Sequence, residues 1–427
     1  MTSQDEQPQQ EAGFRQYLPD LSTPRFIALG QNDAYSHARE LTEKHNPPWL
    51  YGLYTHWQKL LQEPFKGITN DGTVRPGLYA LRDEGLPITE IVAAANTLTS
   101  HLTPSQRART IHHIDSPIWR TWSNPEFLVS DHGLRLDELS APTLASLLAL
   151  LSETLSPAGY RKALATMHTN HFLGSLVGAP KILNQHSYNF LLFGSPSTTR
   201  PWGFSLYGHH LCLAAFLHRS QLVLSPCFTG AEPNLIDAGP HQGTRILHLE
   251  ERLGLQLMQS LPGPLQARAR TYPLMKDPAM PPGRWNHDDQ RHLCGAYRDN
   301  RVVPYEGVLV SSLRPQQQDL VLEILEEYLL YLPARSRDLR LADIKAFFDE
   351  TYFSWIGGNG DNDPFYYRIQ SPVIIVEFDH HSGVFLTNEE PAKFHIHTIL
   401  RTPNGGDYGW ALRNQIEGID QDYVWTG

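Results

Sequence analysis

The chain has 427 residues, 41% of them hydrophobic and 19% charged, the composition of an ordinary globular protein with material for a large core. Its formal net charge is -10 and no run of Lys and Arg interrupts that balance, which argues against nucleic acid as a partner. No stretch approaches the roughly 18 consecutive apolar residues of a membrane-spanning helix, and Met1–Gln10 carries neither a basic nor an apolar leader region, so a cytoplasmic protein is expected.

Three cysteines (Cys212, Cys227 and Cys294) give neither a disulfide framework nor a Cys-x-x-Cys metal spacing, which fits a reduced compartment. The 21 histidines are the compositional oddity, and they cluster.

Residues 1–20 are polar and rich in Gln, and read as a disordered tail. One large domain is expected over 21–427, helical to about 180 and sheet-containing from 181. In the helical part, Ser140 followed by Pro142 opens a helix with Leu144, Leu147, Leu148, Leu151 and Leu155 at helical spacing. Trp49, Trp57, Trp119 and Trp122 read as packing residues.

Near Asn184 the period changes. Ser187–Phe193, Trp202–Leu213 and Gln221–Pro226 read as three successive strands, with turns at Gly194 and His218–Ser220. Short connections imply antiparallel pairing. Helices are expected over about 244–261, 316–332 and 338–350, and the last twenty residues read as a covering segment. No internal repeat is visible. Helices set before and around an antiparallel sheet define an α+β fold.

The densest chemistry lies in Val373–Arg401. Two runs rich in β-branched and aromatic residues flank a loop containing Gly383 and Pro391, and both read as strands of a hairpin. Side chains two apart on a strand share a face. Glu377 and Asp379 therefore share one face, and His395, His397 and Arg401 share another. Paired strands would bring these acids, imidazoles and guanidinium onto one patch, and imidazole with carboxylate is a ligand set for borderline divalent metals.

Gly208-His209-His210 reads as the end of a central strand, with one histidine on each face. The small neighbours Gly208, Cys212 and Ala214 favour His210 as a further ligand, with His209 the alternative. His168 and His171 are an i, i+3 pair without a partner acid, and His186 is less informative still. The run Trp285–His292 reads as a solvated loop or a helix start capped by Asn286. Asn404–Gly409 reads as a turn whose glycines adopt positive φ and carry Asp407 toward Arg401. No Gly-x-Gly-x-x-Gly, Walker, Gly-x-Ser-x-Gly or His-Glu-x-x-His motif occurs.

Phe65-Lys-Gly-Ile-Thr-Asn-Asp-Gly, Trp119-Arg-Thr-Trp-Ser-Asn, Gly208-His-His-Leu, Gly230-Ala-Glu-Pro and Tyr366-Tyr-Arg-Ile-Gln-Ser-Pro occur in that order. Glu377-Phe-Asp, His395-Ile-His, Arg401 and Asp407-Tyr-Gly complete the set. From about Trp49 onward the chain resembles the family known as domain of unknown function 3500. The resemblance implies that these motifs belong to one domain and that the Glu, Gly-His-His and His-x-His elements belong to its pattern. The loop between Glu377 and His395 departs from that pattern: His380–Pro391 is longer than expected, which is read as reshaping the site's entrance.

These residues support a metal-dependent enzyme acting on a small molecule, with His395, His397, Glu377 and His210 (or His209) as ligands. In the hydrolytic or lyase version zinc activates water, Asp379 takes the proton, and Arg401 steadies negative charge, with Asp407 beside it. In the oxidative version the ion is iron and O₂ takes the open positions. The alternative is a non-enzymatic small-molecule binding protein. The sequence leaves the oligomeric state open.

Overall fold

The computed structural model describes residues 13–130 and 132–418. Its centre is a twelve-stranded mixed sheet. In chain order the strands are β1 (Ile111–His112), β2 (Leu134–Arg135), β3 (Tyr188–Phe193), β4 (Trp202–Gly208), β5 (Leu211–His218) and β6 (Gln221–Ala231). They continue with β7 (Arg270–Tyr272), β8 (Val308–Leu309), β9 (Tyr352–Gly357), β10 (Phe365–Gln370), β11 (Ile375–His380) and β12 (Ile396–Arg401). The spatial order is β1-β3-β4-β5-β6-β12-β11-β10-β9-β7, with β2 also pairing β3 and β8 also pairing β9.

This order is two copies of one arrangement. In the first, helices Ile88–Ser100 and Pro104–Thr110 lead into β1, which runs parallel to β3, and β2 then pairs antiparallel with the same strand. A 3-10 turn at Leu136–Glu138, helices Ala141–Thr154 and Pro157–Leu176, and the antiparallel meander β3 to β6 follow. In the second, helices His248–Ser260 and Gly263–Ala269 lead into β7, parallel to β9, and β8 pairs antiparallel with β9. A 3-10 turn at Val310–Ser312, helices Pro315–Tyr328 and Ala334–Lys345, and the meander β9 to β12 complete it. The closing strands β6 and β12 pair antiparallel and join the halves. Gly133 and Gly307 stand at matching places, at φ +97° and +94°, where a Cβ would strike the backbone of β3 and of β9. The expectation of no internal repeat is thus corrected: what repeats is element order and burial, which leaves little trace in residue identity.

The α+β class holds. The expected division, helical to about 180 and sheet-containing beyond, holds only in part: ten of the strands follow residue 181, but the two-residue β1 and β2 lie before it and pair with β3. The helix at Ala141–Thr154 begins as expected, with the Ser140 hydroxyl accepting from the Thr143 N–H, and it buries Leu147, Leu150 and Leu151. Trp57, Trp119 and Trp122 are core residues, while Trp49 is exposed. Within the expected disordered tail, residues 1–12 lie outside the described residues. Phe14–Tyr17 forms a 3-10 turn, because Phe14 is buried against the rings of Phe172 and Phe394.

The sheet has two unlike faces. One packs on the helices of both halves through a large apolar cluster that includes Leu147, Met167, Val376, Phe378 and Leu400. The other is covered by the irregular crossings that precede β2 and β8, with Trp119, Trp122, Leu293 and Tyr297 packed over Phe228, Ile375 and Ile399. Glu377, Asp379, His397 and Arg401 of β11 and β12 belong to this second face, whereas His380 lies on the helix side, 3.3 Å from Glu251.

Candidate metal centre

The strand period sets the site. On β12, His397 pairs in register with Asp379 of β11 on one side and Gly230 of β6 on the other. His395, just before the strand, keeps the same parity. His210 arrives from the neighbouring hairpin. Trp202–Leu213 is not one strand, as its apolar run suggests, but β4 and β5 joined by a turn at His209-His210. His210 adopts φ +63°, a left-handed conformation that an L-residue takes at a cost. Neither histidine is therefore on a strand face. Both are buried, and their rings stack with centroids 3.8 Å apart.

The three imidazoles converge. His397 Nε2 lies 3.1 Å from His210 Nε2 and 3.2 Å from His395 Nε2. Ligand atoms of all three lie within 4.8 Å of one another, and each residue is at most 5% exposed. A neutral imidazole nitrogen carries either one proton or one lone pair in the ring plane. His397 Nε2 therefore cannot make both contacts as ordinary hydrogen bonds, whereas three lone pairs aimed at one ion satisfy the geometry. The group can hold a metal ion. Burial, reinforced by the neighbouring imidazoles, pushes His210 and His397 well below the ordinary imidazole range. Burial also lowers His395, against the opposing pull of Glu232. Neutral imidazoles are the form that binds metal.

The surroundings hold the rings in place. A Cβ at residue 230 would lie 2.8 Å from His210 Cδ2 and 3.0 Å from His397 Cδ2, so Gly230 leaves the room both rings occupy. The buried Glu232 carboxylate accepts the N–H groups of Val384, Phe385 and Leu386 at 2.8, 3.1 and 2.9 Å, and its Oε1 lies 3.7 Å from His395 Nδ1. The long loop after β11 thus supplies the donors that fix an acid behind a ligand candidate. His209 contacts Asn170 Oδ1 through Nδ1 at 2.8 Å, and burial pushes its pKa down to about 4. It stacks on His210 and lies outside the triad.

Glu377 shares the face of His397 but is not brought to it. Its carboxylate accepts the Leu293 and Cys294 N–H groups, both at 2.8 Å, and the Tyr366 hydroxyl at 2.6 Å. Burial would raise its pKa, but His292, Arg368 and these hydrogen bonds outweigh that and lower it. Asp379 is held by Arg291, whose Nε donates at 2.5 Å, and its Oδ2 lies 3.1 Å from His381 Nε2. Arg401 pairs with Asp407 at 2.8 Å and Asp299 at 2.6 Å, and both acids raise its pKa against the effect of burial. The expected turn carries Asp407 there, with Gly405 at φ +82° and Gly409 at +67°, while Gly406, at φ -76°, is not in the positive region expected of it. This ion cluster joins the far end of β12 to the crossing before β8.

In that crossing Asn286 Oδ1 accepts the Asp288 and Asp289 N–H groups at 3.0 and 2.8 Å, as the expected cap does, but no helix follows. The expectation of a solvated loop at Trp285–His292 is corrected: Asp289, Gln290, Arg291 and His292 are buried against the acids of the sheet face. The structure adds four residues that the sequence reading left out of the site: Glu232, His292, Arg291 and His381. His381 carried a signal, since it continues the parity of Glu377 and Asp379, and its ring lies 3.9 Å from that of His397. Glu232 stood in the quoted Gly-Ala-Glu-Pro run. For Arg291 and His292 no local pattern existed. His168 stacks on His241 with centroids 3.6 Å apart, away from the triad. The three cysteines are buried and free.

Fold and site together define an α+β protein of two like halves with a buried three-histidine cluster at their junction. The sequence pattern of the family described as protein of unknown function (DUF3500) matches residues 84–410, and the chain belongs to that family. No curated protein and no solved structure matches it. No helix of the described residues is long and apolar enough to cross a membrane.

Proposed function

We propose that this chain is a metal-dependent enzyme acting on a small molecule, with a divalent ion held by His210, His395 and His397. The observation that carries this reading is the double contact at His397 Nε2, 3.1 and 3.2 Å from its two neighbours. Ligand nitrogens bound to zinc at about 2.0–2.1 Å in tetrahedral geometry stand ~3.4 Å apart, close to these separations. A three-histidine set with an open fourth position suits zinc and hydrolysis or elimination, since such an ion lowers the pKa of bound water to roughly 7. Asp379 and His381, 3.1 Å apart beside the triad, form the acid–base pair for proton movement. Arg401, fully engaged by Asp299 and Asp407, acts as a strut rather than a substrate clamp.

The oxygenase reading calls for two histidines and a carboxylate. The triad holds no carboxylate and Glu377 is engaged elsewhere, which favours zinc over iron. An open cleft of about 590 Å³, lined in part by Gln290, Arg291 and Ser382, gives a small molecule an approach to the residues that hold Asp379 and flank His381. Elemental analysis of protein purified without a histidine tag tests the proposal. One equivalent of zinc is expected, lost in His397→Ala while the circular dichroism stays unchanged. A wild-type protein without stoichiometric metal would leave the binding-protein reading in its place.

A further inference from the structure

His292 is 1% exposed, and its Nε2 has no hydrogen-bond partner among the described residues. Its ring sits among those of His381, His397, Phe228 and Tyr366, with centroids 6.0, 6.3, 6.4 and 6.4 Å away. The position is not loose. Arg291 N–H donates to Asp379 on one side of it, Leu293 and Cys294 N–H donate to Glu377 on the other, and the His292 N–H donates to the Asp289 carbonyl at 2.9 Å. The backbone is thus clamped to the sheet on both sides of one residue, and that residue presents an unused ring nitrogen beside a ligand candidate. Buried polar atoms are normally paired, so an unpaired one next to a candidate metal site points to a missing ligand.

Charge indicates what that ligand is. Three neutral imidazoles leave a divalent ion's charge uncancelled. Of the acids on this face, Asp379 is matched by Arg291, and Glu377 is taken up by backbone N–H groups and Tyr366, away from the triad. Among the described residues, Glu232 is the one acid within ion-pair distance of a triad histidine, standing behind His395, and it has no Lys or Arg partner. One positive charge at the centre remains for an incoming group among buried side chains, where an anion is favoured.

We infer that His292 closes the fourth side of the centre and hydrogen-bonds through Nε2 to an oxygen of a small carboxylate-class anion bound to the metal. This rests on the metal reading above and adds the substrate class to it. The test uses full-length protein loaded with Co²⁺ and titrated with acetate, followed by visible absorption, for wild type, His292→Phe and His292→Asn. One Co²⁺ per chain is expected in all three. Acetate should perturb the wild-type spectrum, bind about tenfold or more weakly in His292→Phe, and fall between the two in His292→Asn, which keeps one donor at shorter reach.

Acetate affinity in His292→Phe equal to wild type overturns the inference while leaving the metal reading intact. So does a wild-type cobalt form with no acetate response. Co²⁺ stoichiometry lost in both variants makes His292 a ligand of the ion and overturns it too. A wild type that binds no Co²⁺ overturns the metal reading and this inference with it. If circular dichroism shows His292→Phe unfolded, His292→Asn decides alone, and wild-type affinity there overturns the inference.

Discussion

Gly230 faces His397 across the β6–β12 ladder, and the three nearest atoms to a Cβ placed there are all imidazole atoms of His210 and His397. Gly230→Ala should therefore move the rings rather than the sheet. The expected result is metal affinity lower by about 10- to 100-fold, the range seen when groups supporting a ligand are altered, with the far-ultraviolet circular dichroism of wild type. Metal competition against a chromophoric chelator measures it, and unchanged affinity would show that the rings are not the ligands. At this scale the sequence was informative about faces and silent about partners. Strand period placed Glu377, Asp379, His395, His397 and Arg401 on one side of β11 and β12. It could not tell that Leu293, Cys294 and Tyr366 would occupy the Glu377 carboxylate, because those groups come from 11 to 84 residues away.

The hairpin from β4 to β5 turns on His209-His210, where two-residue turns usually use Asn-Gly or Asp-Gly. That is why Trp202–Leu213 reads as a single strand: no turn signal interrupts it. The positive φ of His210 gives a test that separates turn from ligand. His210→Asn keeps a residue that tolerates this conformation, so metal should be lost while the apo protein folds as before. His210→Val places a β-branched side chain at φ > 0 and should destabilise the apo protein by a further ~1–2 kcal/mol, read from urea midpoints in chelator. Equal apo stability of the two variants would mean that the turn relaxes out of the left-handed region. The crossing before β8 carries a second test. Arg291 is buried on Asp379, so Arg291→Met leaves an unpaired buried carboxylate and should cost about 3–5 kcal/mol. A loss under about 1 kcal/mol would show that the crossing is held by its apolar contacts instead.

For the molecule as a whole, the duplication explains the position of the centre: His210 and Gly230 come from the first half, His395 and His397 from the second, and they meet where β6 pairs β12. The three histidines were legible as candidates, but the duplication was not, because Tyr188–Phe193 and Tyr352–Gly357 share burial and place rather than residues. The histidines have a further consequence for the stability of the whole chain. Burial, first among the causes, pushes the pKa values of His112, His168 and His209 down to about 4 from an ordinary 6.5. Above pH 6.5 these rings are neutral both folded and unfolded, and they favour neither state. Between about 6.5 and 4 the unfolded chain binds protons that the folded chain refuses, so stability falls as pH falls through that window. Asp288 acts oppositely. Burial, with Asp289 beside it, raises its pKa from 3.8 to about 7, so it contributes stability that is present at low pH and lost as pH rises toward 7. Asp289 and Glu327 are raised likewise, but the lowered histidines outnumber these acids, since His381 and the buried triad shift in the same direction as His112, His168 and His209. The urea midpoint of the metal-free protein should therefore drop from pH 7 to pH 5, and more steeply than in a His112→Gln, His168→Gln double variant. A midpoint that is flat or rises on acidification would mean that these imidazoles are hydrated in solution and titrate as ordinary surface groups.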